Sequence, residues 1–417
     1  MPFLLLYMHS RKVYRQKILK KGKKMYTLKP FFYNDFYCIG SECPYTCCGG
    51  WLIDVDKESR GEYEKYEGLL GYDEERDMYV IQFNGNHMCP LCDEEQLCKL
   101  YKAKGEGAFC HACRTFPRSE FIAKEVKECY LSLGCPYVVS FFKERQEPLS
   151  FILEEDGKGN NEQIINSEEE KRVVNALYKE IDMDLNIRNS ILDLLQNREW
   201  PLWFRQFASA YCLDRIKEVH SQGNAEEVGA MLEKILAPKF MTVLMQQLKS
   251  IPKDKERSFY LLNQIAIEFE DIIAQMTFFG KEGGNGTKAA ELLNRNRNIS
   301  FEEYKAAEDR WESKEKDKFE ILMEHVASYN WMQYALMGFT KYYMMDNYWD
   351  VLLEQMLVKH FSILHYSIYN RMEWNATEFI ISFICRTISH GRGTMKEKLK
   401  DFKEKELLTV ANLYMLI

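Results

Sequence analysis

The sequence has no apolar run long enough to cross a membrane. Its richest apolar stretch, residues 325–369, is broken by charged side chains well short of the roughly 20 uncharged residues that a spanning helix needs. These charged residues are Lys341, Asp346, Asp350, Glu354 and Lys359. The stretch therefore predicts a set of buried helices and no membrane span.

An excess of positive charge is also missing. The chain has 56 basic and 63 acidic residues, a net charge of −7, so it has no broad field that attracts phosphate groups, and its aromatic residues indicate a core. No nucleic-acid partner is predicted. The exception is the strongly basic segment 11–24. We expect residues 1–24 to be a disordered basic extension ahead of a plausible start at Met25.

The pattern of a secretory leader is absent. A leader places basic residues before its apolar core, whereas here the apolar residues 1–8 precede Arg11, Lys12 and Arg15. This order, together with an odd number of cysteines, argues against a secreted protein held by disulfides. A cytoplasmic location is predicted.

Cysteine is scarce outside one part of the chain and abundant within it. Eleven of the 13 cysteines lie between Cys38 and Cys135, and the others are Cys212 and Cys385. Cysteines used as small core residues would be scattered, whereas thiolates at short spacings suit a zinc or iron–sulfur site. One tetrahedral site needs only four thiolates, so the surplus indicates a second site or cysteines that bind no metal.

The patterns along the chain predict a mainly α protein in two parts. Residues 25–145 are expected to form an irregular, cysteine-rich, metal-binding domain with little β structure. Turn-forming and acidic residues at 146–170 predict a linker. Beyond it, apolar residues recur at the helical period, which predicts an α-helical domain over residues 171–417. One such stripe consists of Ile187, Ile191, Leu194 and Leu195.

Two acidic residues lie in a short alternating segment at 51–56. The alternation predicts a half-buried strand with Asp54 and Asp56 on the same side. Paired carboxylates could take a proton from a substrate, which makes both residues weak catalytic candidates. The alternative is a solvated strand face followed by a helix cap.

Four motifs in the amino-terminal part carry a family resemblance. They are Phe36-x-Cys38-Ile39-Gly40-Ser41-x-Cys43-x3-Cys47-Cys48-x2-Trp51-x-Ile53-Asp54-x-Asp56, Cys89-Pro90 with Leu97-Cys98, Cys113-Arg114-Thr115-Phe116-Pro117-Arg118, and Glu128 before Leu131-Ser132-Leu133-Gly134-Cys135-Pro136. The chain resembles the bacterial flagellin lysine-N-methylases, which share their cysteine cluster with a broader group of iron- or zinc-chelating proteins. Weaker matches to the family follow in the helical half, at Ile187-Arg188, at Leu194 to Arg198, and at Arg386-x3-His390.

The resemblance implies transfer of methyl groups from S-adenosylmethionine to lysine ε-amino groups of flagellin, inside the cell before export. It also implies an iron–sulfur cluster, of the [4Fe–4S] type, with zinc as the alternative metal. The candidate ligands are Cys38, Cys43, Cys47, Cys48, Cys89, Cys98, Cys113 and Cys135. Cys92, Cys110 and Cys129 fall outside the family pattern, and no ligand role is carried over to them.

The implied reaction makes two chemical demands on the protein. A free lysine has a pKa of about 10.4 and must lose a proton before it attacks a methyl group; Asp54, Asp56 or a tyrosine could accept this proton. Arg114 and Arg118 could neutralise an anionic cluster or bind the carboxylate of S-adenosylmethionine. Structural salt bridges are the alternative for both arginines.

Two common signatures are absent and leave other functions open. The sequence has no glycine-rich strand-to-helix fingerprint of the common methyltransferase fold. It also lacks the Cys-x3-Cys-x2-Cys pattern of radical enzymes, because Cys48 directly follows Cys47. The alternatives are a zinc-stabilised protein-binding module and an iron–sulfur redox protein without methylase activity. His87 and His111 lie in the same region and could replace a cysteine ligand.

Overall fold

The computed structural model describes most of the chain. The described residues are 25–43, 45–49, 51–74, 77–85, 88–123, 126–155, 163–164, 182–270, 285–337, 343–390 and 392–417. Within these ranges the chain forms fifteen α-helices and eight short strands. The prediction of a mainly α protein is confirmed. The predicted basic extension at 1–24 lies outside the described residues.

A five-stranded sheet joins distant parts of the amino-terminal half. Its strands are β1 (Tyr26–Pro30), β5 (Arg118–Ala123), β6 (Val126–Leu131), β7 (Phe151–Glu155) and β8 (Gln163–Ile164), in the order β5-β6-β1-β7-β8. The central strand β1 runs parallel to β6, with Leu28 opposite Glu128, and antiparallel to β7. Most of the cysteine segment therefore lies in the long connection from β1 to β5, two strands of one sheet that lie on either side of β6.

This connection has a second, smaller sheet. The strands β2 (Asp54–Val55), β3 (Leu70–Asp73) and β4 (Met78–Ile81) pair antiparallel in the order β2-β4-β3. In β2 and the residue before it, Ile53 and Val55 are buried while Asp54 is half-buried, as the alternation predicts. Four short helices, α1 (Arg60–Tyr63), α2 (Lys99–Lys104), α3 (His111–Thr115) and α4 (Pro136–Val139), complete this half.

This segment has its own small core. Ile53, Tyr63, Leu69 and Leu100 pack together with the buried Cys89 and Cys110. We call residues 45–116, which surround this core, the cysteine lobe.

The carboxyl-terminal half is helical, as predicted. Its helices are α5 (Asp182–Gln196), α6 (Leu202–Ser221), α7 (Ala225–Leu236), α8 (Pro238–Lys249), α9 (Lys255–Glu268), α10 (Asn285–Asn298), α11 (Phe301–Tyr334), α12 (Tyr343–Tyr369), α13 (Trp374–His390), α14 (Arg392–Glu404) and α15 (Val410–Leu416). The predicted stripe on α5 is buried, with Ile187, Ile191 and Leu195 fully enclosed. Much of the apolar stretch at 325–369 forms buried parts of α11 and α12. None of the helices described is both long and apolar enough for a membrane span.

The five-stranded sheet and the helices share one core. Leu28 of β1 and Tyr130 of β6 belong to the same buried cluster as Tyr329 and Trp331 of α11. In the predicted linker, residues 151–155 form β7 and bury Phe151 in this core. The boundary between two domains at 146–170 stays a prediction, although part of that segment belongs to the sheet.

Candidate functional site

The eight cysteines predicted as ligands lie close enough for their side chains to interact. Cys47 hydrogen-bonds to Cys48 and interacts with Cys43, Cys98 and Cys113. The other three cysteines interact with members of this group. Cys38 lies near Cys43, and Cys89 lies near Cys98. Cys135 lies near both Cys43 and Cys47. That these eight cysteines form one ligand set stays a prediction.

The sulfurs are nevertheless not gathered around one ready-made cavity. In the part of the chain that the structure describes, no three histidine, cysteine, aspartate or glutamate side chains form a group able to hold a metal ion. The donors are thiols, which suit zinc or an iron–sulfur cluster better than a hard cation such as magnesium. The chemistry of the donor set fits a thiolate centre, and its exact ligands stay a prediction.

Backbone hydrogen bonds hold four cysteines of the lobe together. The N–H of Cys89 donates to the carbonyl of Cys48 at 2.7 Å, and the N–H of Cys92 donates to the carbonyl of Cys89 at 2.9 Å. Cys92 also pairs with Cys98 in an isolated antiparallel bridge. The turn at Cys89-Pro90-Leu91-Cys92 thus brings its two thiols beside those of Cys48 and Cys98.

Three cysteines sit immediately before short helices. They are Cys98 before α2, Cys110 before α3 and Cys135 before α4. None of the three side chains forms a helix-capping hydrogen bond. Burial is the largest influence on Cys98 and raises its pKa, while the N–H groups of Tyr101 and Leu100 oppose this effect. The helix starts therefore turn N–H groups toward sulfur, which favours the thiolate.

Burial favours the protonated form of several thiols. Desolvation raises the pKa of Cys43 and of Cys89 to about 11, and that of Cys135 to about 12. Metal binding must displace these protons, because only the thiolate is a ligand.

Cys110 and Cys113 form a close pair with opposite tendencies. The hydrogen bond with Cys113 lowers the pKa of Cys110 to about 7 against the effect of burial, with further help from the Tyr63 hydroxyl. The same bond raises the pKa of Cys113. The hydrogen bond therefore favours the thiolate of Cys110 over that of Cys113. Sequence reasoning left Cys110 out.

Cys92, also left out, lies inside the group. It hydrogen-bonds to Cys48, which lowers the pKa of Cys92 despite burial. Cys129 differs, because it is buried in β6 beside the Tyr33 hydroxyl. The short spacing Cys89-x2-Cys92 is a sequence signal that could have found Cys92, and Cys129 has no cysteine at such a spacing.

One arginine of the helical half enters the cysteine region. Arg386 of α13 is 7% exposed. Its Nε and Nη2 donate to the Gly134 carbonyl at 3.1 and 2.9 Å, and its Nη1 donates to the Thr46 carbonyl at 3.1 Å. Burial lowers the pKa of Arg386, while the nearby Cys47 and Cys135 act to raise it. The sequence motif Arg386-x3-His390 was the only signal for this residue.

The two predicted arginines contact backbone atoms. Arg114 Nη2 donates to the Phe109 carbonyl at 2.6 Å. Arg118 Nη2 donates to the Phe36 carbonyl at 3.3 Å, and its guanidinium lies 5.0 Å from the Phe36 ring centroid. Binding of a cofactor by Arg114 and Arg118 stays a prediction.

Asp56 supports the local fold. One carboxylate oxygen accepts from the N–H of His111 at 2.6 Å, and the other accepts from the N–H of Ser59 at 3.0 Å. Desolvation acts to raise the pKa of Asp56, but these N–H groups and the Ser59 hydroxyl lower it overall. The carboxylate of Asp56 thus joins the turn before α1 to the first residue of α3. Asp54 lies on β2 opposite Val80, and a catalytic role for either stays a prediction. His87 lies outside the described residues.

A half-buried carboxylate, Glu378, lies on α13, the helix that also carries Arg386. Burial raises the pKa of Glu378 to about 7, although Trp374 and Lys143 oppose the shift. Its charge acts on Tyr45, whose ring stacks on Phe379 at 5.3 Å. Nothing in the sequence distinguished Glu378 from other helical glutamates.

A pocket in the helical half of the chain is lined by residues that include Ile187, Leu213, Ile216 and Met344. None of its lining residues is a predicted site residue.

Comparison with known proteins points to one family. A family model described as the FliB lysine N-methylase C-terminal domain matches residues 188–416. The flagellar biosynthetic protein FliU of Salmonella muenchen is 31% identical over 130 residues, which are 28% of this chain and 77% of FliU. The lysine-N-methylases of Salmonella choleraesuis and Salmonella typhimurium are also 31% identical over 130 residues, 28% of this chain. These matches span 32% of the length of each methylase. No solved structure matches the chain.

Proposed function

Because this chain belongs to the FliB lysine N-methylase family, we propose that it methylates lysine ε-amino groups of flagellin with S-adenosylmethionine as the methyl donor. The proposal places the reaction in the cytoplasm, before flagellin is exported. Its main support is the family match over residues 188–416 together with relatives named lysine-N-methylase.

We further propose that the clustered thiols hold an iron–sulfur cluster, with zinc as the alternative. The observation that carries this proposal is the mutual approach of the thiols, with Arg386 from the family-matched region bonded beside them. Such a centre would supply an anionic, redox-active or Lewis-acidic group to the site. The candidate ligands remain Cys38, Cys43, Cys47, Cys48, Cys89, Cys98, Cys113 and Cys135.

Methyl transfer also needs a group that accepts the lysine proton. Glu378 suits this task better than Asp56, because a base works best when its pKa lies near the working pH. The carboxylate of Asp56 is already engaged by His111 and Ser59. We therefore add Glu378 to Asp54 and Asp56, the candidate bases from the sequence. Arg114 and Arg118 stay candidates for the carboxylate of S-adenosylmethionine.

The test is methyl transfer to flagellin by anaerobically purified protein. S-adenosylmethionine with an isotopically labelled methyl group is supplied, and flagellin lysines are analysed by mass spectrometry. Labelled lysines are expected with the wild type and with Cys212→Ser, which changes a cysteine of α6, and not with Cys47→Ser. If the metal-loaded wild type transfers no labelled methyl group to flagellin, the proposed methyltransferase activity is refuted.

Colour and metal content separate the two alternative functions. A brown protein that contains iron but transfers no methyl group would indicate a redox protein. A colourless protein that contains zinc and transfers none would indicate a zinc-stabilised binding module.

A further inference from the structure

We infer that Arg386 is a positioning residue that clamps two cysteine-bearing loops into one centre and supplies the positive charge beside their sulfurs. The loops are residues 45–48 and 132–135. The inference rests on the proposed cysteine centre, and it assigns to the helical half the task of assembling that centre.

The guanidinium spans the two loops by hydrogen bonds. Two of its nitrogens donate to the Gly134 carbonyl and a third donates to the Thr46 carbonyl, at 2.9–3.1 Å. Each carbonyl belongs to the residue immediately before a candidate ligand, Cys135 or Cys47. The planar fork of arginine fixes both bonds at once, which the single ammonium of lysine does less well. A shift of Arg386 would therefore displace both cysteines.

Close backbone packing reinforces this geometry. A Cβ atom added to Gly134 would lie 3.1 Å from the Cβ and 3.2 Å from the Cα of Arg386. The glycine lets the helix α13 approach the loop directly, so that the short guanidinium contacts can form. A side chain at this position would push α13 and the loop apart.

Charge gives the clamp a second effect. The guanidinium interacts with Cys43, Cys47, Cys48 and Cys135, and a buried cation is stabilised by nearby anions. A thiolate–metal centre is negatively charged, so Arg386 offsets part of that charge without binding the metal. Residues around metal ligands that orient them change metal affinity by about 10–100-fold when replaced.

The test compares Arg386→Gln and Arg386→Lys in the full-length protein. We measure iron and zinc retained during challenge with a chelator, and the alkylation rate of Cys47 and Cys135 in metal-stripped protein by mass spectrometry. Arg386→Gln should lose metal about tenfold faster and alkylate faster. Arg386→Lys should lie between it and the wild type, because it keeps the charge but not the fork.

Arg205→Gln is the matched control. Arg205 is a buried arginine of α6 that bonds to Glu324 at 2.8 Å, so its loss tests general destabilisation. It should lower thermal stability without changing metal retention or the alkylation of Cys47 and Cys135. If Arg386→Gln fails to fold, Arg386→Lys and Gly134→Ala carry the same comparison.

The outcomes distinguish this inference from the proposed function. Wild type that contains neither iron nor zinc would refute the cysteine centre itself. If the wild type binds metal, and the Arg386 variants retain metal and alkylate Cys47 and Cys135 at wild-type rates, the clamp is refuted. The proposed cysteine centre is not affected by that result. If Arg386→Gln and Arg205→Gln both lose metal faster than the wild type, and at equal rates, Arg386 contributes only to general stability. This result would also refute the clamp.

Discussion

Cys47 and Cys113 are the thiols whose replacement tests the predicted ligand set most directly. Cys47 lies among the thiols near Arg386, and Cys113 pairs with Cys110 in the lobe. We expect Cys47→Ser and Cys113→Ser to lose most of the bound iron or zinc and to destabilise the cysteine lobe. Elemental analysis and thermal unfolding of anaerobically purified protein measure both effects.

Cys212 and Cys385 provide the matched controls. Both are buried in the helical half, where Cys385 accepts a hydrogen bond from Asn330 at 3.6 Å. Their replacement by serine should leave metal content unchanged, even if it alters core packing. Full metal content in Cys47→Ser and Cys113→Ser would show that the predicted ligand set is wrong.

Glu378→Gln should reduce methyl transfer by about 100-fold or more, because a general base contributes on this order. With wild type, kcat/KM should rise with pH through about 7, where the carboxyl of Glu378 loses its proton. The pH profile of labelled methyl transfer checks this expectation. A Glu378→Gln variant with a wild-type rate and pH profile would exclude this base.

The buried His360 makes stability depend on pH. Its Nε2 lies 2.6 Å from Asn296 Oδ1 and its Nδ1 lies 3.2 Å from the Tyr304 hydroxyl, partners that suit the neutral ring. Burial lowers the pKa of His360 to about 3. Because the unfolded chain takes up the proton at about pH 6.5, stability from this residue is complete above that pH and declines as the pH falls toward 3.

Between pH 6 and pH 4, the free energy of unfolding should fall by about 1.4 kcal/mol per pH unit from His360 alone. Urea unfolding at several pH values measures this slope. In His360→Gln the slope should be smaller by the same amount. An equal slope in both proteins would contradict a neutral, buried His360.

The clustering of the cysteines is visible in the sequence, whereas the distant residues that contact them are not. Short spacings such as Cys47-Cys48 and Cys89-x2-Cys92 are visible along the chain. Arg386 bonds to a residue 340 positions away, and no local pattern encodes such a contact. Glu378 was missed for the same reason, since its pKa depends on burial by distant segments.

Helix signals are local, which is why the helical half was foreseen. The helix α11 begins with a capping box, in which the N–H of Glu303 donates to the Ser300 hydroxyl and the Glu303 carboxylate accepts from the Ser300 N–H. Apolar residues at the helical period then place one face of each helix in the core.

Ser300→Ala should destabilise the protein by about 1 kcal/mol, because two N–H groups at the start of α11 lose this reciprocal arrangement. Urea unfolding of the two proteins measures the difference. Ser313→Ala is the matched control, since Ser313 is an exposed residue within the same helix. A loss as large in Ser313→Ala as in Ser300→Ala would contradict a capping effect.

The five-stranded sheet, in contrast, was not predicted. Its central strand β1 has only five residues, and its neighbours pair it through Tyr26 opposite Val126 and opposite Glu155. Strand pairing over such separations leaves no periodic signal in a short segment. Residues 151–155 were therefore assigned to a linker, although they complete the sheet.

The molecule is united by a core that includes the sheet and the helices. Phe32, after β1, stacks on Tyr329 of α11 with ring centroids 5.8 Å apart. The Tyr329 hydroxyl also accepts from the N–H of Leu131 and donates to the Leu131 carbonyl, both at 2.8 Å. The Tyr329 side chain of the helical half thus completes the hydrogen bonding of Leu131 at the end of β6. Gly134, which contacts Arg386, follows three residues later.

This junction predicts a contrast between two buried tyrosines. Tyr329→Phe keeps the ring but leaves the buried Leu131 N–H without its partner, which should cost about 1–3 kcal/mol of unfolding free energy. Tyr366 is equally buried, and its hydroxyl has no hydrogen-bond partner among the described residues. Tyr366→Phe should therefore be neutral or stabilising.

Urea unfolding of both variants gives the comparison, and hydrogen exchange of β6 locates the effect. Faster exchange at the end of β6 is expected in Tyr329→Phe and not in Tyr366→Phe, because only the former joins the sheet to α11. Equal losses of stability in the two variants would contradict a specific contribution of this hydrogen-bonded junction. A loss confined to Tyr329→Phe would tie the placement of the loop at residues 132–135 to the same helical scaffold that carries Arg386.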